Sequence, residues 1–97
     1  MITTHTSPED DALGSELALY HLLRKIGKSA VIMNQDPVPV EYEFLCGKEK
    51  INFLSHKTRK VRFDCMAVVD CSDLRRTGDV FKINSYGKPV INIDHHI

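Results

Sequence analysis

One short stretch of the sequence contains residue types that could bind a divalent metal ion. Within residues 5–15, His5, Glu9 and Asp11 stand close together, between an apolar lead and a helical pattern. Imidazole nitrogen combined with several carboxylate oxygens suits Mn²⁺, Mg²⁺, Zn²⁺ or Fe²⁺ better than copper or an iron–sulfur cluster. Acidic residues at a helix start also cap free N–H groups and interact favourably with the helix dipole. Taken alone, this stretch favours capping over metal binding.

Two stretches near the other end of the chain favour a metal site instead. Asp70 directly follows one apolar run, and Asp94, His95 and His96 follow another. Helix capping does not explain why three strand ends all stop in metal-ligand residue types. Because open α/β sheets bind ligands at the carboxyl ends of their strands, we expect these residues to meet at one edge of a sheet.

The elements that must position these residues follow a strand–helix–strand order. Residues 2–5 predict a strand, and apolar residues at helical spacing over 12–26 predict a helix. Residues 28–33 predict a second strand, which should be parallel to the first because a helix connects the two. The apolar run within 63–69 predicts a strand buried on both faces, and residues 89–93 predict the last strand. We therefore predict an α/β fold in which a mostly parallel sheet of four strands is flanked by helices.

The connecting segments carry weaker signals. Residues 40–45 predict a helical turn, and residues 79–85 predict a turn or a short helix. The basic residues within 48–62 could follow a nucleic-acid backbone, although charge runs usually just face water. Gly14 would let the first helix approach either the sheet or a phosphate, and Gly78 would permit a positive φ.

Length and composition exclude several classes of protein. The 97 residues make one domain at most. Thirteen basic and thirteen acidic residues cancel, so there is no global electrostatic argument for a nucleic acid or a membrane surface. No apolar run approaches the ~20 residues of a membrane span. Three cysteines without Cys-x-x-Cys spacing predict reduced thiols in a cytoplasmic protein.

Together, the motifs resemble those of a known family. Motifs one to three of the DHH phosphoesterases are similar to three stretches of this chain, namely His5-x3-Glu9-x-Asp11-Ala-Leu-Gly-Ser, Asp70 and Asp94-His95-His96. The branch that it resembles most is the bacterial oligoribonuclease/pAp-phosphatase group, related to the RecJ-type exonucleases. The pattern spans nearly all of residues 1–97, which the resemblance identifies as an incomplete N-terminal DHH domain. A fourth acidic motif and a C-terminal substrate domain are then expected in a longer enzyme.

The resemblance also implies a set of metal ligands. It implies two divalent ions, Mn²⁺ or else Mg²⁺, with Asp70 as the carboxylate that bridges both and also acts in catalysis. Two ions can clamp a phosphate, activate water and stabilise the leaving oxygen. The remaining ligands would be His5 and Glu9 on the first ion, and Asp11 and His95 on the second.

Four further residues have candidate roles near these ligands. His96 would lie at the reacting phosphate, as an electrostatic stabiliser or a proton donor. Asp94 would hold an imidazole tautomer or a backbone amide behind the ligands. Arg75 or Arg76 could reach a substrate phosphate, although surface solvation is the favoured role for both.

Two positions depart from the family pattern. Glu9 stands where Asp is commoner, and its extra methylene moves the carboxylate outward by one bond. Asp10 stands where the family usually has Gly. If that position requires φ > 0, a residue with a side chain costs about 1 kcal/mol there.

The activity that the resemblance implies is hydrolysis of phosphate esters. The substrates would be phosphodiester or phosphomonoester bonds in short RNA or DNA oligonucleotides or in 3′-phosphoadenosine phosphate, and no membrane partner is expected. Relatives with the same motifs process pyrophosphate, polyphosphate and cyclic dinucleotides. The alternative is a truncated, catalytically inactive metal-binding module of such an enzyme, which folds but turns nothing over. Assembly as a homo-oligomer stays open.

Overall fold

The computed structural model describes residues 1–55, 61–84 and 87–94. These residues form five strands and two α-helices, joined in part by short 3₁₀ turns. In chain order the elements are β1 (Ile2–Thr3), α1 (Asp10–Lys25), β2 (Ile32–Asn34), β3 (Ile51–Phe53), β4 (Met66–Val69), α2 (Val80–Ile83) and β5 (Val90–Ile93), with 3₁₀ turns at Val40–Tyr42, Lys48–Lys50 and Leu74–Thr77.

The strands form one sheet in the order β3-β2-β1-β4-β5, and every neighbouring pair is parallel. The predicted α/β fold and parallel pairing are therefore confirmed. The predicted number of four strands is wrong, because β3 was not expected. Of its three residues only Ile51 is buried, so its short pattern carries little hydrophobic signal. Its place in the sheet comes from pairing with β2.

The first helix packs across the sheet through one buried stripe. Ala12, Leu13 and Leu17 are buried, and Leu13 and Leu17 join Ile2 and Ile32 in a core on this side of the sheet. The helix begins two residues earlier than predicted because two acids occupy its first turn, where the N-terminal dipole stabilises negative charge.

A glycine turn ends α1. Gly27 has φ 85°, and its N–H donates to the carbonyl of Arg24 at 3.1 Å. The next N–H, of Lys28, donates to the carbonyl of Leu23 at 2.8 Å. These bonds satisfy two carbonyls that have no partner inside the helix. The positive φ of Gly27 ends the helix, and the chain then leads to β2.

A second core lies on the other side of the sheet. Met33, Met66 and Val68 pack there with Cys71 and with Val80 of α2. The segment predicted as a turn or short helix thus contains a single helical turn, and its Val80 packs into this core. Within the described part of the chain, no helix has the length and apolar character that would let it cross a membrane.

Gly14 does not have the packing role that was expected of it. It lies exposed in α1, and a Cβ built there would meet no described atom within 4 Å. The expectation that this residue permits close packing of helix on sheet is therefore wrong. The buried stripe of α1 runs along other positions of the helix.

Candidate metal centre

The register of the sheet brings the ends of three strands together. Thr3 of β1 pairs with Val68 of β4, and Val69 of β4 pairs with Ile93 of β5. Neighbouring parallel strands lie about 4.8 Å apart. Asp70 therefore follows the middle strand of the three at the carboxyl edge, with the chain that carries His5 on one side and Asp94 on the other.

Asp70 leaves β4 in an unusual backbone conformation. Its φ is 52°, and its N–H donates to the carbonyl of Ile93 at 3.0 Å. The left-handed region costs most residues roughly 1–2 kcal/mol, although Asp and Asn visit it more readily than others. Residues held in this region cluster at functional sites. The chain turns at the predicted bridging carboxylate, and the side chain of Asp70 is half-buried.

His5 is held in a tautomer that suits metal binding. Its Nδ1 lies 2.7 Å from the carbonyl oxygen of Thr6. Because a carbonyl oxygen can only accept, Nδ1 carries a proton, and in the neutral ring Nε2 is then the nitrogen with the lone pair. This is the usual arrangement for a histidine ligand, whose second nitrogen is fixed by a hydrogen bond. The donor types at this edge thus fit a divalent cation.

The acidic turn lies on the exposed side of the helix start. Glu9 occupies the N-cap position with extended backbone, and its side chain makes no capping hydrogen bond to a described residue. Asp11 is exposed, and its N–H donates to Asp10 Oδ1 at 3.0 Å. Capping by Glu9, the alternative explanation for its presence, is therefore not seen. Glu9 lines an open cleft with Asp36 and Tyr42.

These acids also affect a nearby phenol. The pKa of Tyr42 is raised, first by desolvation of the partly buried side chain and then by the carboxylates of Asp10 and Glu9. The acidic turn thus places negative charge near the phenol of Tyr42. A bound cation would relieve part of the repulsion between its carboxylates.

The strain considered for Asp10 does not occur. Asp10 is the first residue of α1, and the non-glycine residues with positive φ in the described ranges are Ser7 and Asp70. In the turn after β1 it is Ser7, with φ 52°, that takes the left-handed conformation. Its N–H donates to Asp36 Oδ2 at 2.9 Å, which ties the turn to the loop after β2.

The described ligands do not form a complete site by themselves. Within residues 1–55, 61–84 and 87–94, no three His, Cys, Asp or Glu side chains are grouped so that they could hold a metal ion. His95 and His96 lie outside the described residues, so the ligand set remains a prediction. Asp70 and Asp94 line one cleft, together with Ser15 on α1.

A comparison with protein-family models identifies the family. The model described as the DHH family, N-terminal domain, matches residues 1–97. The chain belongs to the DHH family. Membership indicates metal-dependent phosphoesterase chemistry in general, with divalent metal ions as cofactors. No curated protein matches the chain.

Arg75 and Arg76, the two arginines considered for contact with a substrate phosphate, lie on the surface of this DHH domain. Arg75 is paired with Asp73, with 2.8 Å between Nη2 and Oδ2, and its side chain is 87% exposed. The side chain and the backbone N–H of Arg75 both donate hydrogen bonds to the Asp73 carboxylate, which hold the pKa of Asp73 below its usual value. Arg76 has an exposed side chain, while its carbonyl accepts from the N–H of Thr6 at 2.6 Å. Arg76 is therefore not engaged in the ion pair that occupies Arg75.

Three buried polar residues near the edge were not predicted as part of the site. Glu16, Asn34 and Thr4 are fully buried beneath it and are joined by hydrogen bonds. The sequence held one signal for this arrangement, since Glu16 interrupts the apolar stripe between Leu13 and Leu17. A charged residue type on the buried face of a helix needs a polar partner.

Gly78 closes the loop that follows Asp70, and we expect its replacement by Ala to destabilise the DHH domain. Its φ is 68° and its ψ is −142°, a combination that is essentially limited to glycine. An added Cβ would lie 2.8 Å from Gln35 Oε1, which accepts from the N–H of Asp79. Gly78→Ala should lower the free energy of unfolding by about 2 kcal/mol.

The matched control for this variant is Gly14→Ala, which adds the same methyl group in open space. Because alanine is favoured over glycine inside a helix, it should raise the free energy of unfolding by roughly 0.5–1 kcal/mol. Urea unfolding of both variants measures the difference. Equal stability of the two would show that the loop accommodates a side chain at Gly78.

Proposed function

We propose that this DHH domain hydrolyses phosphate esters at the carboxyl edge of its sheet. The substrates are phosphodiester or phosphomonoester bonds of short oligonucleotides, or 3′-phosphoadenosine phosphate, as in the oligoribonuclease/pAp-phosphatase branch and its RecJ-type relatives. The observation that carries the proposal is the placement of Asp70. It turns out of the sheet between His5, whose Nδ1 is fixed, and Asp94.

Five residues would hold two divalent ions, Mn²⁺ or Mg²⁺. The ligands proposed are those of the motifs, namely His5, Glu9, Asp11, Asp70 and His95. Bound cations of this kind polarise a phosphoryl oxygen and lower the pKa of water. The protein's part is to supply negative charge and neutral imidazole nitrogen at fixed positions. The hydrogen bond that fixes Nδ1 of His5 and the run of carboxylates at the start of α1 support this assignment.

The remaining groups would act on the substrate. His96 stabilises the reacting phosphate or gives a proton to the leaving oxygen. Asp94 lies at the strand end beside Asp70 and supports the imidazole that follows it in the chain. Arg76, whose side chain is exposed, is better placed than Arg75 for a phosphate, because Arg75 would first have to release Asp73.

A panel of substrates tests the proposal. Purified protein is incubated with a short RNA, with 3′-phosphoadenosine phosphate, with a cyclic dinucleotide and with pyrophosphate. We expect release of nucleoside monophosphate or phosphate that stops with a chelator and returns with Mn²⁺. Hydrolysis that survives the chelator unchanged would contradict a metal-dependent site. Preference for pyrophosphate would assign the domain to another branch of the family.

One observation favours a second candidate function, cation binding without turnover. Glu9 and Asp11 are exposed, and Glu9 lines a cleft that it shares with Asp36 rather than with Asp70. A Mn²⁺ ion held by only some of the five proposed ligands would be bound weakly. Calorimetry that detects Mn²⁺ binding, together with no hydrolysis of any substrate in the panel, would support this second candidate.

The cysteines support the proposed cytoplasmic location. All three, Cys46, Cys65 and Cys71, are free thiols. Disulfides form mainly in oxidising compartments, so a chain that keeps three thiols unpaired suits a reducing one.

A further inference from the structure

A chain of buried polar side chains runs beneath the carboxyl edge of the sheet. Glu16 of α1 and Asn34 at the end of β2 are both fully buried. Asn34 Nδ2 donates to Glu16 Oε1 at 2.8 Å. The neighbouring positions on this face of the helix are the core residues Leu13 and Leu17, so the carboxyl group sits on an otherwise apolar stripe.

The chain continues to two residues that adjoin the proposed ligands. Asn34 Oδ1 accepts from the N–H of Thr4 at 3.2 Å. The hydroxyl of Thr4 donates to the carbonyl of Val69 at 2.7 Å. Thr4 directly precedes His5, and Val69 directly precedes Asp70. Three hydrogen bonds thus connect Glu16 on α1 to the end of β4. They pass through Asn34 at the end of β2 and Thr4 just after β1.

Glu16 holds the donor end of the Asn34 amide, opposite the end that faces Thr4. An asparagine amide presents an acceptor at one end and two donors at the other. The N–H of Thr4 needs the acceptor, and the donor end then faces Glu16. Without an acceptor at position 16, a buried N–H₂ group would lose its partner, which costs more than the mean value of a hydrogen bond. Oδ1 would still accept from the N–H of Thr4 and the hydroxyl of Thr3, but the amide could shift to find a partner for its donor end, which would displace Thr4.

Burial also sets the protonation of Glu16. Desolvation raises its pKa to about 8, and the hydrogen bond from Asn34 acts in the opposite direction. The neutral form therefore predominates near neutral pH, and a neutral carboxyl group avoids the cost of a buried charge. Oε2 is buried and has no hydrogen-bond partner among the described residues. A glutamine side chain would reproduce the shape and the acceptor of this neutral acid.

We propose that Glu16 is a positioning residue for the cation site, acting through Asn34 and Thr4 on the relative placement of His5 and Asp70. Glu16 touches neither substrate nor cation in this role. The inference rests on the proposed function because it takes His5 and Asp70 as ligands. Partners behind metal ligands typically affect metal affinity by roughly 10–100-fold.

Two substitutions at one position test the inference. Glu16→Gln keeps an acceptor for Asn34, and Glu16→Met keeps the approximate volume without it. In calorimetry with Mn²⁺, the Gln variant should retain wild-type affinity and the Met variant should lose about tenfold or more. In NMR spectra of the metal-free protein, the backbone amide resonances of His5 and Asp70 should move in the Met variant only.

Two further variants separate positioning from general stability. Thr4→Val keeps the N–H that Asn34 accepts from and removes the hydroxyl bond to Val69, so it should weaken Mn²⁺ binding as Glu16→Met does. Ile51→Ala removes a buried side chain from β3, outside the polar chain. It should lower the midpoint of unfolding and leave the Mn²⁺ affinity unchanged.

The outcomes are distinguishable. If Glu16→Met behaves like Ile51→Ala, with unchanged affinity and unchanged resonances of His5 and Asp70, its role is structural and the inference is overturned. If the wild-type protein binds no Mn²⁺, the proposed function fails, and the two resonances still decide whether Glu16 positions these residues. If Glu16→Met does not fold, Thr4→Val gives the same readouts.

Discussion

Replacing Asp70 by Asn is expected to reduce Mn²⁺-dependent hydrolysis by roughly 10³-fold, since a cation contributes several kcal/mol to the stabilisation of a phosphoryl transition state. An amide oxygen carries no net charge, and the amide nitrogen cannot ligate, so Asn cannot bridge two cations. The backbone should tolerate the change, because Asn adopts the left-handed conformation of Asp70 as readily as Asp does.

The control for this variant lies at the other end of the same strand. Asp64 is exposed and precedes β4, so Asp64→Asn removes the same charge far from the proposed site. We expect wild-type turnover from Asp64→Asn in the steady-state assay. Turnover by Asp70→Asn that approaches this control would exclude Asp70 as the bridging residue and would leave the second candidate function standing.

The stability of the wild-type protein is expected to depend on pH through Glu16. Its pKa is raised from the ordinary 4.5 to about 8 in the folded protein, with desolvation as the main cause. Between pH 4.5 and about pH 8, Glu16 carries a proton in the folded state but has lost it in the unfolded state. The stabilising contribution is therefore complete below about pH 4.5 and is lost as the pH rises to about 8.

Glu16→Gln should remove this dependence, because the amide does not titrate. We expect the wild-type free energy of unfolding, relative to that of Glu16→Gln, to fall with pH by at most roughly 1.4 kcal/mol per unit across this window. Urea unfolding at a series of pH values measures the difference. Glu49→Gln, at an exposed position, controls for the loss of one carboxyl group. A difference that stays constant with pH would show that Glu16 is not protonated in the folded protein.

Much of the fold could be predicted from local patterns. The helix between two apolar strands requires a crossover, and a crossover connection makes the strands parallel. Parallel strands put their carboxyl ends at one edge, so residues such as Asp70 and Asp94 could be placed near each other before any coordinates. The unexpected β3 shows the limit of this reasoning. Its exposed Asn52 and Phe53 give no periodic signal, and pairing with β2 places the strand in the sheet.

The sequence by itself determined the α/β class, the parallel sheet and the residue types that stand at its carboxyl edge, because these follow from periodicity and from the order of the elements. Only the tertiary structure decided the positive φ of Asp70 and the burial of Glu16 against Asn34. The bonds that join Asn34 to Glu16 and Thr4 to Val69 span 18 and 65 residues of sequence. Local propensity cannot foresee which polar groups meet across such distances, since packing of the whole sheet brings them together.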